Sequence, residues 1–191
     1  MDFNVLVRLQ DRTPHFVDNP LATIVDLGSM EIQGFILLIA VWLLPVKKRV
    51  KILIFTSYCV GLGMILVGKT YLAHPAPPYM FHRGNAGLSF PSLHVQVQSS
   101  YPSGHTYRTV FLASLLSAQW LIQVNRQKRK TVVVIASILL ALLTMTGMVI
   151  LGKHWVSDVV GGGLLAVGVV SGVYAVLLAH IRNRPGDFTD R

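Results

Sequence analysis

His154 and Asp158 stand four residues apart in Gly152-Lys-His-Trp-Val-Ser-Asp158. On a helix that spacing places both side chains on one face. The carboxylate can then accept one ring N–H and leave the other imidazole nitrogen free to act as a nucleophile. A second histidine closes Tyr101-Pro-Ser-Gly-His105, which runs directly into an apolar stretch. Ser103 and Gly104 thereby precede a helix start, where backbone N–H groups and the positive end of the helix dipole favour a phosphate. A near copy, Phe90-Pro-Ser-Leu-His94, runs into the alternating polar stretch VQVQSS instead. His105 is therefore the catalytic candidate and His94 a loop histidine.

Cations complete the pattern. Arg108 follows His105 by three residues and shares its helix face, and a guanidinium binds phosphate bidentately wherever along the chain it originates. Lys153 directly precedes His154, and Arg83 lies in a loop with His74 and His82 nearby. The plainer reading of Arg108 and Lys153 is snorkelling at a membrane interface, and that of Arg83 is a solvated loop residue. Of the eight acids only Asp158 lies between residues 32 and 186. One carboxylate is too few for a two-metal phosphatase and there is no His-x3-His pair, so neither metal nor cofactor is called for.

The elements that must position these residues are membrane helices. The 191-residue chain is 52% hydrophobic and 13% charged, with mean hydropathy +0.56, outside the range of soluble domains. Apolar runs long enough to span occur at about 32–46, 52–72, 107–124, 131–151 and 157–180. An all-α polytopic bundle of about five transmembrane helices in one domain over 1–191 is expected. Residues 1–31 form an interfacial N-terminal segment, with an amphipathic helix from about 17 to 31, and 182–191 a cytoplasmic tail. The sole cysteine, Cys59, excludes a disulfide framework and is expected to pack. Gly161, Gly162, Gly163, Gly168 and Gly172 read as close helix packing in the bilayer, and Met145 and Met148 as core.

Net charge +9 does not point to nucleic acid, because the basic residues cluster beside apolar runs. Eleven of the seventeen (Lys47, Lys48, Arg49, Lys51, Arg126, Lys128, Arg129, Lys130, Arg182, Arg184 and Arg191) fall in loops on one side. Such loops stay cytoplasmic. The N-terminus, residues 73–106 and the 152–156 turn then face outward, as suits a bacterial plasma membrane.

The order and spacing of Lys69, Pro102-Ser-Gly-His105 and the His154–Asp158 segment resemble the type 2 phosphatidic acid phosphatase family of membrane lipid phosphatases. Its signatures are Lys-x6-Arg-Pro, Pro-Ser-Gly-His and Ser-Arg-x5-His-x3-Asp. The resemblance covers about residues 15 to 180. It implies a phosphohistidine at His154 aligned by Asp158, His105 as the acid that protonates the leaving oxygen and later activates water, and Lys69 among the phosphate-binding residues. The departures fall on the arginines: Ala76-Pro77 and Gly147-Met148 stand where Arg-Pro and Ser-Arg would be. Arg108, Lys153 and Arg83 are the available substitutes. The expected activity is removal of a terminal phosphate from a lipid phosphate or isoprenyl (pyro)phosphate at the extracytoplasmic face. Two alternatives remain: a lipid phosphotransferase, which Pro-Ser-Leu-His94 echoes, and an inactive lipid-binding homologue. The orientation has its own test: in a Cys59-free background, a cysteine at residue 85 labels from outside intact cells and one at residue 127 does not.

Overall fold

The computed structural model describes residues 1–84, 99–123 and 127–183, with the side chains of 120–129 and 180–183 left aside. Phe90 to His94 and most of the C-terminal tail lie outside the described residues. Among those described, seven α-helices and no strand are found: α1 (Asp2–Arg12), α2 (Asp18–Asp26), α3 (Met30–Leu43), α4 (Lys48–Tyr71), α5 (Gly104–Gln123), α6 (Gln127–Ile150) and α7 (Val156–Asn183). Short 3-10 turns sit at His15–Val17 and Tyr79–Phe81.

Local sequence explains where the helices start. Asp2 in the first turn of α1 and Arg12 in its last complement the helix dipole. Ser29 caps α3 by accepting the Ile32 N–H at 3.4 Å. Asp158, in the first turn of α7, accepts the Trp155 N–H at 2.9 Å, the acidic half of a capping box.

Among the described residues, three helices are long and apolar enough to cross a membrane: α4, α6 from Lys130 and α7 to Ala179. A fourth results if His15–Asp26 and Met30–Leu43 form one span bent by 49°. Alone, the 14 residues of α3 extend about 21 Å, short of the roughly 30 Å hydrocarbon layer. The expected single helix over 17–31 is thus corrected: Gly28 and Ser29 break it, and its first part joins α3 as a bent pair. α1 was not anticipated at all.

α5 holds the centre, touching α3, α4, α6 and α7. This explains how it buries Thr106, Arg108, Thr109 and Gln119, since polar side chains at membrane depth are tolerated where they face protein. Its aromatic anchor is a cluster with α4: Tyr58 lies 5.9 Å from Tyr107 and 5.2 Å from Phe111 between ring centres. The Tyr107 hydroxyl donates to Tyr58 O at 3.1 Å through the space left by Gly61. Large apolar side chains such as Phe55, Val67, Ile138, Leu142, Leu164 and Val176 are exposed on α4, α6 and α7, a lipid-facing surface. Cys59 is exposed rather than packed.

A second core of Leu6, Val25, Met148, Leu151 and Val159 joins α1 and α2 to the ends of α6 and α7. Asp2 accepts from the Ser157 hydroxyl at 2.7 Å and its N–H at 3.2 Å. Gln10 Nε2 donates to Phe81 O and Ile150 O at 2.7 and 2.8 Å. Gly152, at φ +68, makes the turn after α6, where a Cβ would collide with Phe81 O.

The glycines of α7 divide into three groups, of which Gly163 alone, beside Met145 of α6 and Thr106 of α5, fits the expected helix packing. A Cβ on Gly162 would strike Ser103 O and one on Gly161 the Tyr101 ring, while Gly68 of α4 faces Pro102 Cδ at 2.7 Å. These glycines seat the Tyr101–Ser103 segment rather than pack helix on helix. At Gly168 and Gly172 a Cβ would meet nothing within 4 Å among the described residues. Gly162→Ala should therefore destabilise by about 1–3 kcal/mol through overpacking and impair the site. Gly168→Ala should be neutral or stabilising by up to about 1 kcal/mol. Thermal melts of both variants in detergent check the contrast.

Candidate active site

Asp158 is fully buried and organises the cluster. Its Oδ2 accepts from His154 Nδ1 at 3.1 Å and from the Trp155 N–H at 2.9 Å. The same carboxyl oxygen thus starts α7 and fixes the tautomer of His154, whose Nε2 stays available for attack. Burial lowers the His154 pKa below its ordinary value, helped by the charges of Lys69 and Lys153, although the hydrogen bond and charge of Asp158 act in the opposite sense. An imidazole without an Nε2 proton is the reactive form.

The Asp158 main chain joins this half to the other. Its carbonyl accepts the Ser103 N–H at 3.0 Å. Ser103 is itself the N-cap of α5: its buried Oγ accepts from the Thr106 N–H at 3.4 Å and the Thr106 hydroxyl at 3.2 Å. The hydroxyl is thus engaged in the cap, and the first-turn N–H groups of Gly104 and His105 are those without an intrahelical partner.

Cations surround His105. Arg108, Lys153 and Lys69 are its charged neighbours, and His154 stands beside it. Arg108 is buried, donates from Nε to Gly28 O at 3.0 Å, and lays Nη1 over Gly104, 3.0 Å from where a Cβ would stand. It is not snorkelling. Lys69 Nζ donates to Ser99 O and Ser100 O at 3.2 and 3.1 Å and has Asp158 and Arg108 as charged neighbours. Lys153 Nζ stands 3.7 Å from Asp26 Oδ1. Five of the six candidate phosphate-binding residues, Lys69, Ser103, Gly104, Arg108 and Lys153, are thus gathered around His105, His154 and Asp158.

Arg83 is the exception. Its Nε and Nη2 lie 3.2 and 3.0 Å from the two Asp18 oxygens, Nη1 donates to Gln10 O at 3.0 Å, and Nη2 donates to Thr13 O at 2.9 Å. Every guanidinium nitrogen is engaged in pinning α1 and α2 to the loop after α4. Arg83 is a structural residue rather than a solvated or phosphate-facing one.

Sequence reasoning missed three participants. The corner at Gly28 walls the site, with a Cβ there falling 3.0 Å from Thr109 Oγ1 and 3.5 Å from His105 Cδ2. The Gly28-Ser29 pair, a breaker followed by a cap, was its signal. Trp155 Nε1 donates to Pro75 O at 2.7 Å, tying the end of α4 to the start of α7. His74 stands beside Asp158, its Nδ1 3.1 Å from Oδ1.

Comparison with known proteins bears on the fold and the family. A family model described as the PAP2 superfamily matches residues 50–182. The search of curated proteins found no significant match. Among solved structures, the first transmembrane PAP2 type phosphatidylglycerolphosphate phosphatase from Bacillus subtilis superposes with a TM-score of 0.73 at 20% identity, over 92% of this chain and 83% of that one. Aquifex aeolicus LpxE superposes with a TM-score of 0.66 at 16% identity, over 91% of this chain and 94% of its own. With its fold shared and the family model covering α4 to α7 and the whole histidine cluster, the chain belongs to the PAP2 superfamily.

Proposed function

We propose that this protein hydrolyses the terminal phosphate of a lipid phosphate or isoprenyl (pyro)phosphate at the extracytoplasmic face, through a phosphohistidine on His154. The observation that carries the reading is the His154–Asp158 pair, 3.1 Å apart, set among His105 and the cations Lys69, Arg108 and Lys153. His154 Nε2 attacks phosphorus and a P–N bond forms as the P–O bond to the lipid breaks. Burial and the neighbouring cations hold the His105 pKa well below its ordinary value, so His105 takes up its proton as the phosphate charge enters beside it, and gives that proton to the departing oxygen. Water then loses a proton to His105 and attacks the same phosphorus, breaking the P–N bond and releasing phosphate. The cations and the Gly104 and His105 N–H groups bear the charge on the equatorial oxygens.

A groove of about 440 Å³ supports a lipid substrate. It lies between α5, α6 and α7, lined by side chains such as Val110, Ala113, Ile138, Leu142, Leu164 and Val167. Its Gly163 also borders the site: a Cβ there would lie 3.6 Å from Met145 Cε and 3.8 Å from Thr106 Cγ2. Thr106 hydrogen-bonds the Ser103 cap, so the groove, whose outer wall is lipid-facing, lies next to the phosphate loop, where it can take the substrate hydrocarbon chain.

Purified protein in detergent should release phosphate from at least one of phosphatidic acid, phosphatidylglycerophosphate and undecaprenyl pyrophosphate. His154→Ala should abolish that release, and His105→Ala should lower it by roughly 10²–10⁴-fold. A fully active His154→Ala protein would rule out the covalent mechanism. Arg108→Ala should lower kcat/KM by about ten- to a hundredfold, the worth of a charge-assisted hydrogen bond. Arg108→Lys should recover only part, because it lacks the planar fork. Kinetics measured beside thermal melts separate lost phosphate binding from the lost Gly28 contact.

A further inference from the structure

The Asp158 carboxylate is engaged unevenly. His154 and Trp155 both bond Oδ2, while Oδ1 is buried and has no aligned hydrogen-bond donor. A buried carboxylate oxygen without a donor is costly, and His74 Nδ1, at 3.1 Å, stands next to it.

His74 is held firmly in that place. Its N–H donates to Ser99 Oγ at 3.3 Å, and its carbonyl accepts from the Ser100 N–H at 2.8 Å and the Ser100 hydroxyl at 3.0 Å. Ser100 Oγ also lies 3.3 Å from Nδ1. The Ser100 hydroxyl has the Asp158 carboxylate within reach as well, but a carboxylate oxygen can only accept, so Oδ1 beside Nδ1 calls for the ring tautomer with its proton on Nδ1. The ring packs edge-on to Tyr101 at 6.0 Å between centres, and the Trp155 bond to Pro75 O fixes the next residue.

We infer that His74 is a positioning residue of the active site, donating Nδ1–H to Asp158 Oδ1 so that one carboxylate is held between two histidines, His74 and His154. The inference rests on the phosphohistidine reading for its consequence but not for its geometry. With Oδ1 engaged, the carboxylate cannot rotate about its bond to Cβ, and His154 Nε2 keeps its aim at phosphorus. Loss of His74 lets Asp158 turn, which lowers kcat with little change in substrate binding.

Two measurements test it. Ring nitrogen NMR of histidine-labelled wild-type protein in detergent should find His74 protonated at Nδ1, with its signal shifted in Asp158→Asn. A neutral His74 protonated only at Nε2 would overturn the inference, whether or not the protein turns over any lipid. Absent phosphate release from wild type would instead count against the phosphatase reading alone. In the active enzyme, His74→Ala should lower kcat by about ten- to a hundredfold with KM changed less than about twofold. His74→Asn, whose amide N–H takes the Nδ1 position, should restore most of it, and His74→Gln, which mimics Nε2, should not. Unchanged kcat in His74→Ala, or rescue by Gln rather than Asn, would overturn the role.

Discussion

The site depends on keeping one carboxylate ionised where no water reaches it. Burial of an isolated carboxylate costs several kcal/mol, and Asp158 offsets that cost through work done for three neighbours. It caps α7, orients His154 and, through its main chain, holds the phosphate loop. The start of α7 and the orientation of His154 are therefore the same structural event. A change that loosens one loosens the other.

Around this carboxylate the protein gathers several positive groups, of which Lys153 also faces Asp26 at 3.7 Å. Among the described contacts, Lys69 leans on the carbonyls of Ser99 and Ser100 and Arg108 on that of Gly28. Carbonyl dipoles hold these side chains in place without cancelling their charge. The excess positive potential is left for a dianionic ligand, in a low-dielectric setting where each contact is stronger than in water. Ala76 and Met148 stand where the family signatures have arginine, and the cations nearest the histidines come instead from α4, α5 and the α6–α7 turn. Met148 itself is core, 1% exposed.

What could be read in advance was local. The spacing of His154 and Asp158, the Pro-Ser-Gly-His turn and the apolar runs each report on a few consecutive residues, where helical periodicity does the work. What could not be read depends on contacts between distant segments. Arg83 reads as a phosphate-binding substitute or a solvated loop cation because nothing nearby in sequence reveals Asp18 or the carbonyls of Gln10 and Thr13. The glycines of α7 looked uniform, yet Gly161 and Gly162 face a loop from sixty residues earlier. α1 went unseen because its apolar stripe is short and only tertiary contact with α6 and α7 makes it a helix worth forming.

The clasp of Asp2 on Ser157, across 155 residues of sequence, has a consequence in time. At ordinary translation speeds of about 5–20 residues per second, α1 waits roughly ten to thirty seconds before its anchor exists. During that interval its apolar stripe has only the membrane surface to rest on. The last helix to emerge thus completes the core that the first helix opened, and a partly synthesised chain has spans without a finished histidine cluster.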